Sequence, residues 1–292
     1  METLAIFLIQ LLNGVQYGLL LFLLSTGLTL IFGVMGVINL AHGSFFMIGA
    51  YGAFYFTALG LEFPLMLPLA LATALAIGLI LELTVLRPLY DRDPLSQVML
   101  TFGLILVLNE SVSMIFGPEI KTLPIPEVLQ GVAPLWRGHG YPIYRLFVTA
   151  TGLAVGAALW VFIHRTRLGM IIRAGAVNRE MVGALGINIR WVFSGVFALG
   201  AGLAALSGLL AAPILSLYPG MGEEIIILTF VVVVVGGLGS LRGALIASLL
   251  IGVADTFGKA VLPQLSSVLV YALMVGVLLI RPHGLFSRGE GA

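Results

Sequence analysis

The 292-residue chain is 60% apolar and only 9% charged, with a mean hydropathy of +1.14 and a formal net charge of +1. Soluble domains carry about 25% charged residues, and 14 basic plus 13 acidic side chains cannot coat a globule of 30.9 kDa. A soluble enzyme, a disordered chain and a nucleic-acid binder are therefore excluded, and the absence of cysteine removes disulfides, thiolate metal sites and cysteine nucleophiles.

Crossing a hydrocarbon core takes ~20 apolar residues of helix. Runs of that kind fall at 5–33, 43–60, 64–86, 96–116, 144–163, 191–217 and 265–281. Two shorter runs, 225–236 and 243–257, flank Gly236-Gly237-Leu238-Gly239-Ser240. They read equally as half-helices, a kinked span or two tight crossings. None of the runs alternates at period two, which excludes a β-barrel. The expectation is an all-α, polytopic transmembrane helical bundle of eight or nine spans, forming one domain over 1–292.

The first run carries Glu2 and no Lys or Arg at its flank, and it is too long for a cleaved signal peptide. It is expected to stay as a helix with its N-terminus outside. Alternating sides from there puts Arg87, Arg92, Arg165, Arg167, Arg173, Arg179, Arg190, Arg242, Arg281 and Arg288 inside. Lys121, Arg137, Arg145 and Lys259 fall outside, so 10 of the 14 basic residues obey the positive-inside rule. The C-terminus is then cytoplasmic.

Between the spans, 117–143 holds Pro118, Pro124, Pro126, Pro134 and Pro142, which stiffen an external loop against helix formation. The loop 164–190 is the largest on the inner side, with five Arg and one Glu. Within it, Arg173 to Val182 predicts a short helix with Ala174, Val177, Met181 and Leu185 on one face. Such a stripe needs the bilayer surface or a partner protein to cover it.

Enzyme chemistry finds no foothold. His42, His139, His164 and His283 are scattered, and no G-x-S-x-G or H-E-x-x-H occurs. Gly258-Lys259 lacks the first Gly and the final Ser or Thr of a phosphate-binding loop, being preceded by Val253 and followed by Ala260. No cofactor or metal is expected, and ATP, if it drives this chain, binds another subunit.

The polar residues inside the apolar runs are few. Asn39 and His42 sit by a span boundary among Gly33, Gly36 and Gly43. That turn is either a re-entrant element lining a path or an interfacial turn whose Asn caps the next helix. Glu82, Glu110 and Asp255 fall at membrane depth, where each carboxylate costs ~2.5–3.5 kcal/mol and must face protein or water. Glu82 is expected to snorkel or to pair with Arg87, and Asp255 to pair with Lys259 one turn on. Glu110, beside Asn109, is the candidate for the path or for a proton-coupled carrier. An offset of 200 also aligns Gly36, Gly43 and Gly52 with Gly236, Gly243 and Gly252, compatible with paired halves.

Two resemblances follow from these residues. Glu180 followed by Gly186 resembles the Glu-Ala-Ala-x-x-x-Gly loop by which ABC importer permeases dock onto their ATPases, with Met181 and Val182 replacing the alanines. The run Gly27 to Tyr51, with Asn39-Leu-Ala-His-Gly43 inside it, resembles the permeases of branched-chain amino-acid ABC importers. So do Arg165 to Ile187 and Val231 to Gly243, and the likeness runs from about 14 to 285. Urea and short-amide permeases carry near-identical runs. The resemblance implies a bacterial inner-membrane complex of two permease chains, two ATP-binding cassette subunits inside and a substrate-binding protein outside, with membrane lipid around it. It places Arg173, Arg179, Glu180 and Gly186 at the ATPase contact. Asn39, His42, Gly43, Glu110, Gly236, Gly237 and Gly239 are the candidates for the translocation path.

Overall fold

A computed structural model describes residues 2–90, 92–136, 139–261 and 263–286. Arg137 and Arg288, used above for orientation, lie outside the described residues. Among the described residues eleven α-helices follow one another: α1 Glu2–Met35, α2 His42–Ala58, α3 Phe63–Leu81, α4 Pro94–Phe116, α5 Ile143–Arg165, α6 Arg167–Val177, α7 Arg179–Ala184, α8 Ile189–Ala211, α9 Met221–Gly236, α10 Leu241–Val261 and α11 Ser266–Ile280. The proline-rich segment is more than a connector, since β1 (Val132–Trp136) and β2 (His139–Pro142) pair antiparallel, Val132 opposite Pro142. Pro134 and Pro142 are tolerated because a two-stranded ribbon consists of edge strands alone.

Among the described residues six helices are long and apolar enough to cross a membrane: α1, α3 with its extension to Leu89, α4, α5, α8 and α10. At 17, 16 and 15 residues, α2, α9 and α11 fall short of that length. Length therefore does not reproduce the expected eight or nine spans. The run 191–217 is also not one element. It ends as helix at Ala211, and Pro213 and Pro219-Gly220 bend the chain back before α9.

At the centre stand α1 and α8, 89% and 72% buried along their apolar windows, against 22% for α4 and α5. They run antiparallel, with the Ser207 hydroxyl donating to the Leu20 carbonyl at 2.8 Å and Gly200 packed on Gly27. Close approach matters here because apolar side chains gain little by leaving lipid, so small residues at the crossing supply the packing instead. α10 lies antiparallel on the other side of α1, where Gly14 and Gly18 meet Val253 and Leu249. α5 runs parallel to α1, its Gly152 and Gly156 seated on Leu19 and Phe22. α3 flanks α8, with Leu75 against Gly202. One end of the bundle carries α6, α7 and most of the arginines; the opposite end carries the β-hairpin and Arg145.

Helix breaks at the centre of the bundle

Two short helices start inside the bundle rather than at its faces. His42, the first residue of α2, donates from Nε2 to the carbonyl of Leu24 at 3.0 Å. Leu24 lies eleven residues before the end of α1 at Met35, about 16 Å of helix at 1.5 Å per residue. The chain from Gly36 to Ala41 therefore climbs back along α1 before α2 begins. Gly36 turns it there with a left-handed φ of +69°, which a side-chain-bearing residue rarely adopts. The Leu40 amide, donating to Thr101 Oγ1 at 3.3 Å, ties the climb to α4 about 10 Å in from its start. The turn at Asn39–His42 thus lies alongside α1 rather than beyond its end, and Asn39 does not cap α2, whose N-cap is Ala41.

α9 repeats the device in the opposite sense. Its first turn packs on that of α2, so that a methyl at Gly43 would run into the Gly222 carbonyl. Asn109 of α4 donates to the Glu223 carboxylate nearby. From there α9 descends beside α1, Ile226 and Val233 against Leu28, and Gly239 reaches Gly33. α2 runs the other way, from Leu40 beside Thr101 to Tyr51, whose ring lies 5.0 Å from that of Phe116. The two N-termini thus meet inside the bundle and point their half-helices to opposite ends. N-terminal amide groups carry partial positive charge, which in α9 the carboxylates of Glu223 and Glu224 in its first turn complement.

The buried side chains of the α1–α2 break are polar and uncharged, whereas the first turn of α9 carries Glu223 and Glu224, both exposed. Asn39 and His42 are fully buried. Both amide atoms of Asn39, His42 Nδ1, Thr26 Oγ1 and Thr29 Oγ1 have no protein partner among the described residues. Buried polar atoms are nearly always bonded, so the Asn39 amide and His42 Nδ1 leave hydrogen-bonding capacity unused at the break.

Not every sequence candidate joins this site. Asn39, His42 and Gly43 do. Gly236, Gly237 and Gly239 instead form the turn between α9 and α10 at the arginine end, where Gly236 packs on Gly243. That turn is also sealed by the C-terminal segment, Leu285 N bonding Val235 O at 2.8 Å and Phe286 N bonding Gly236 O at 3.2 Å. The sequence offset of 200 thus matches two helix-turn-helix corners, whereas the inverted relationship in space is between α1–α2 and α8–α9. Glu110 is exposed, in a stripe of α4 with Met99, Leu106 and Met114. Glu110 therefore lies apart from the buried break at Asn39 and His42.

Among the other carboxylates, Asp255 pairs with Lys259 at 2.7 Å as expected. Glu82 differs: it is fully buried and is held by Tyr90 at 2.6 Å and Ser194 at 2.8 Å rather than by Arg87, which lies over Trp191. The Ser194 link from α8 spans 112 residues of sequence and has no local signal.

In the arginine loop the predicted helix Arg173–Val182 is two helices. Asn178 ends α6, and its side chain accepts from Met181 N at 2.9 Å to cap α7. Ile172, Gly175 and Val182 face inward, whereas Val177, Met181 and Leu185 are 84%, 59% and 73% exposed. Arg173, Arg179 and Glu180 are exposed beside that stripe, and Gly186 turns the chain at φ +79°. Arg179 lies over the Phe193 ring and beside Gly36, on a cleft of about 420 Å³ bounded by Phe32, Gly33, Asn178 and Glu180. The loop therefore abuts the point where α1 turns into the central break. No cluster able to hold a metal occurs among the described residues.

A polytopic helical bundle with half-helices meeting at its centre has the build of a membrane permease. The model of the family described as branched-chain amino acid transport system, permease component, matches residues 10–278. The high-affinity branched-chain amino acid transport system permease protein BraD of Pseudomonas aeruginosa is 34% identical over 296 residues, covering 96% of each chain. The LivH permease protein of Salmonella typhimurium is 31% identical over 303 residues, 99% of this chain and 98% of its own. The LivM permease protein of Escherichia coli K12 is 29% identical over 289 residues, 90% of this chain and 67% of its own. No solved structure matches. The chain belongs to the branched-chain amino-acid transport permease family.

Proposed function

We propose that this chain is the transmembrane subunit of an ATP-driven importer of branched-chain amino acids, working by alternating access. The observation that carries the reading is the exposed stripe Val177–Met181–Leu185, flanked by Arg173, Arg179 and Glu180 and packed at Gly36 against the central break. ATP-binding cassette subunits cover that stripe, and their closure on ATP moves α6 and α7. Arg179 passes the movement to the segment 36–41 and hence to Asn39 and His42.

The arginine end is cytoplasmic by the positive-inside rule, which puts the N-terminus outside and the C-terminus inside a bacterial inner membrane. Counting α2, α9 and α11 as passes gives nine. The hairpin end then meets an extracytoplasmic binding protein. Glu110 lies about 9 Å below the outer end of α4, too deep for lipid contact. A second permease chain, of which the LivM-like relative is a model, covers it and lines a path with it.

A zwitterion suits the site. The neutral groups of Asn39 and His42 bond its polar end, and the apolar bundle holds an aliphatic side chain. The test is uptake by proteoliposomes holding the full complex with ATP inside. Leucine enters, urea and acetamide do not, and Asn39→Ala lowers leucine uptake. Equal uptake of urea contradicts the substrate assignment.

A further inference from the structure

We infer that the seam between α5 and α10 is a binding site for one anionic phospholipid. The seam is a slot of about 210 Å³ whose floor is Leu19 and Phe22 of α1. Its walls include Gly156, Ala157 and Trp160 of α5 and Leu245 of α10. Every wall is apolar except at one end, where Arg242, the second residue of α10, closes it. Arg242 is exposed and has no carboxylate partner among the described residues.

The slot thus has the polarity of a lipid: an apolar trough ending in one free cation. Trp160 stands at the same end, 44% exposed, its ring stacked on His164 at 4.9 Å. Indole rings settle at the boundary between acyl chains and head groups, and Arg165 follows at the end of α5. An acyl chain laid on Leu19 and Phe22 brings its phosphate to Arg242 and its glycerol level to Trp160. Basic pockets between helices at the arginine-rich face take anionic head groups in this way. A neutral zwitterionic lipid fills the trough and gains less from Arg242. The orientation proposed above names the leaflet as the inner one; the slot itself does not depend on the transport reading, which leucine uptake tests separately.

The experiment uses the full-length chain purified in detergent, with phosphatidylglycerol or phosphatidylcholine of matched acyl chains added. Native mass spectrometry and thermal unfolding are the readouts. The chain is expected to retain one phosphatidylglycerol about fivefold more tightly than phosphatidylcholine, the effect of one juxtamembrane arginine. Arg242→Gln, a surface change, is expected to level the two lipids, and Ala157→Trp, which fills the trough, to lose both. Equal retention of the two lipids by the unaltered chain, or retention unchanged in both variants, overturns the assignment. So does stabilisation by inorganic phosphate alone, or a Leu153→Cys cross-link between chains that persists with phosphatidylglycerol present, which shows the seam to be covered by protein.

Discussion

His42 Nε2 and the Leu24 carbonyl oxygen, 18 residues apart in sequence, are 3.0 Å apart in space. A carbonyl only accepts, so Nε2 carries the hydrogen and His42 Nδ1 is left as an unpartnered acceptor in the core. This bond fixes the depth at which α2 starts and holds the Asn39 amide at the break. Replacing His42 by Leu is expected to cost ~0.5–1.5 kcal/mol of stability, the net worth of one hydrogen bond. Leucine uptake should fall by more than the loss of folded protein explains. Thermal unfolding and uptake measured on the same preparation check it, and equal losses in both mean that His42 is only structural.

The crossing of α2 and α9 is set by Gly43 and Gly222, each of which would press a methyl into the other's backbone. Gly43→Ala and Gly222→Ala are each expected to destabilise by ~1–3 kcal/mol, as overpacking does. Gly103 in α4 has open space around it. Gly103→Ala should be stabilising by ~0.5–1 kcal/mol through helix propensity alone. Unfolding curves of the three variants separate close packing from a general intolerance of glycine replacement.

Glu82 binds α3 to α8 through Ser194 and to the following turn through Tyr90. Ser194→Ala and Tyr90→Phe each strip one donor from a buried carboxylate, and each is expected to cost ~1–3 kcal/mol. Because both donors serve one acceptor, the double variant should depart from additivity. A double-mutant cycle by denaturant unfolding reads the coupling directly.

Asn178 separates α6 from α7 and caps the second. Asn178→Ala is expected to remove ~1 kcal/mol of local helix stability. Amide exchange should then speed up over 179–184 and leave α8 unchanged. Exchange that rises equally in α8 means that the two helices form one unit.

Much of this architecture is written in local composition. The apolar runs locate α1, α3, α4 and α5, and the glycines around Asn39 announce a break, because hydropathy and backbone freedom are properties of a segment. Depth is not local. Nothing in the run 191–217 separates α8 from the bend that follows, since Ile214, Leu215 and Leu217 keep the segment apolar while Pro213 turns it. The meeting of Gly43 with Gly222 and the tie from Glu82 to Ser194 join residues more than 100 positions apart. The split at Asn178 is different: a capping residue in the middle of a periodic stripe is a stop signal, and the periodicity of Ala174, Val177 and Met181 conceals it.

The most direct test of the account is purification of the tagged chain from its native membrane, with ATPase activity measured on the eluate. Beside it runs Arg179→Glu, which reverses one exposed charge in the α6–α7 segment. The account predicts ATP-binding subunits and ATPase activity with the unaltered chain, and their loss in the variant while it still inserts. A chain that elutes alone and carries leucine into liposomes without ATP contradicts it.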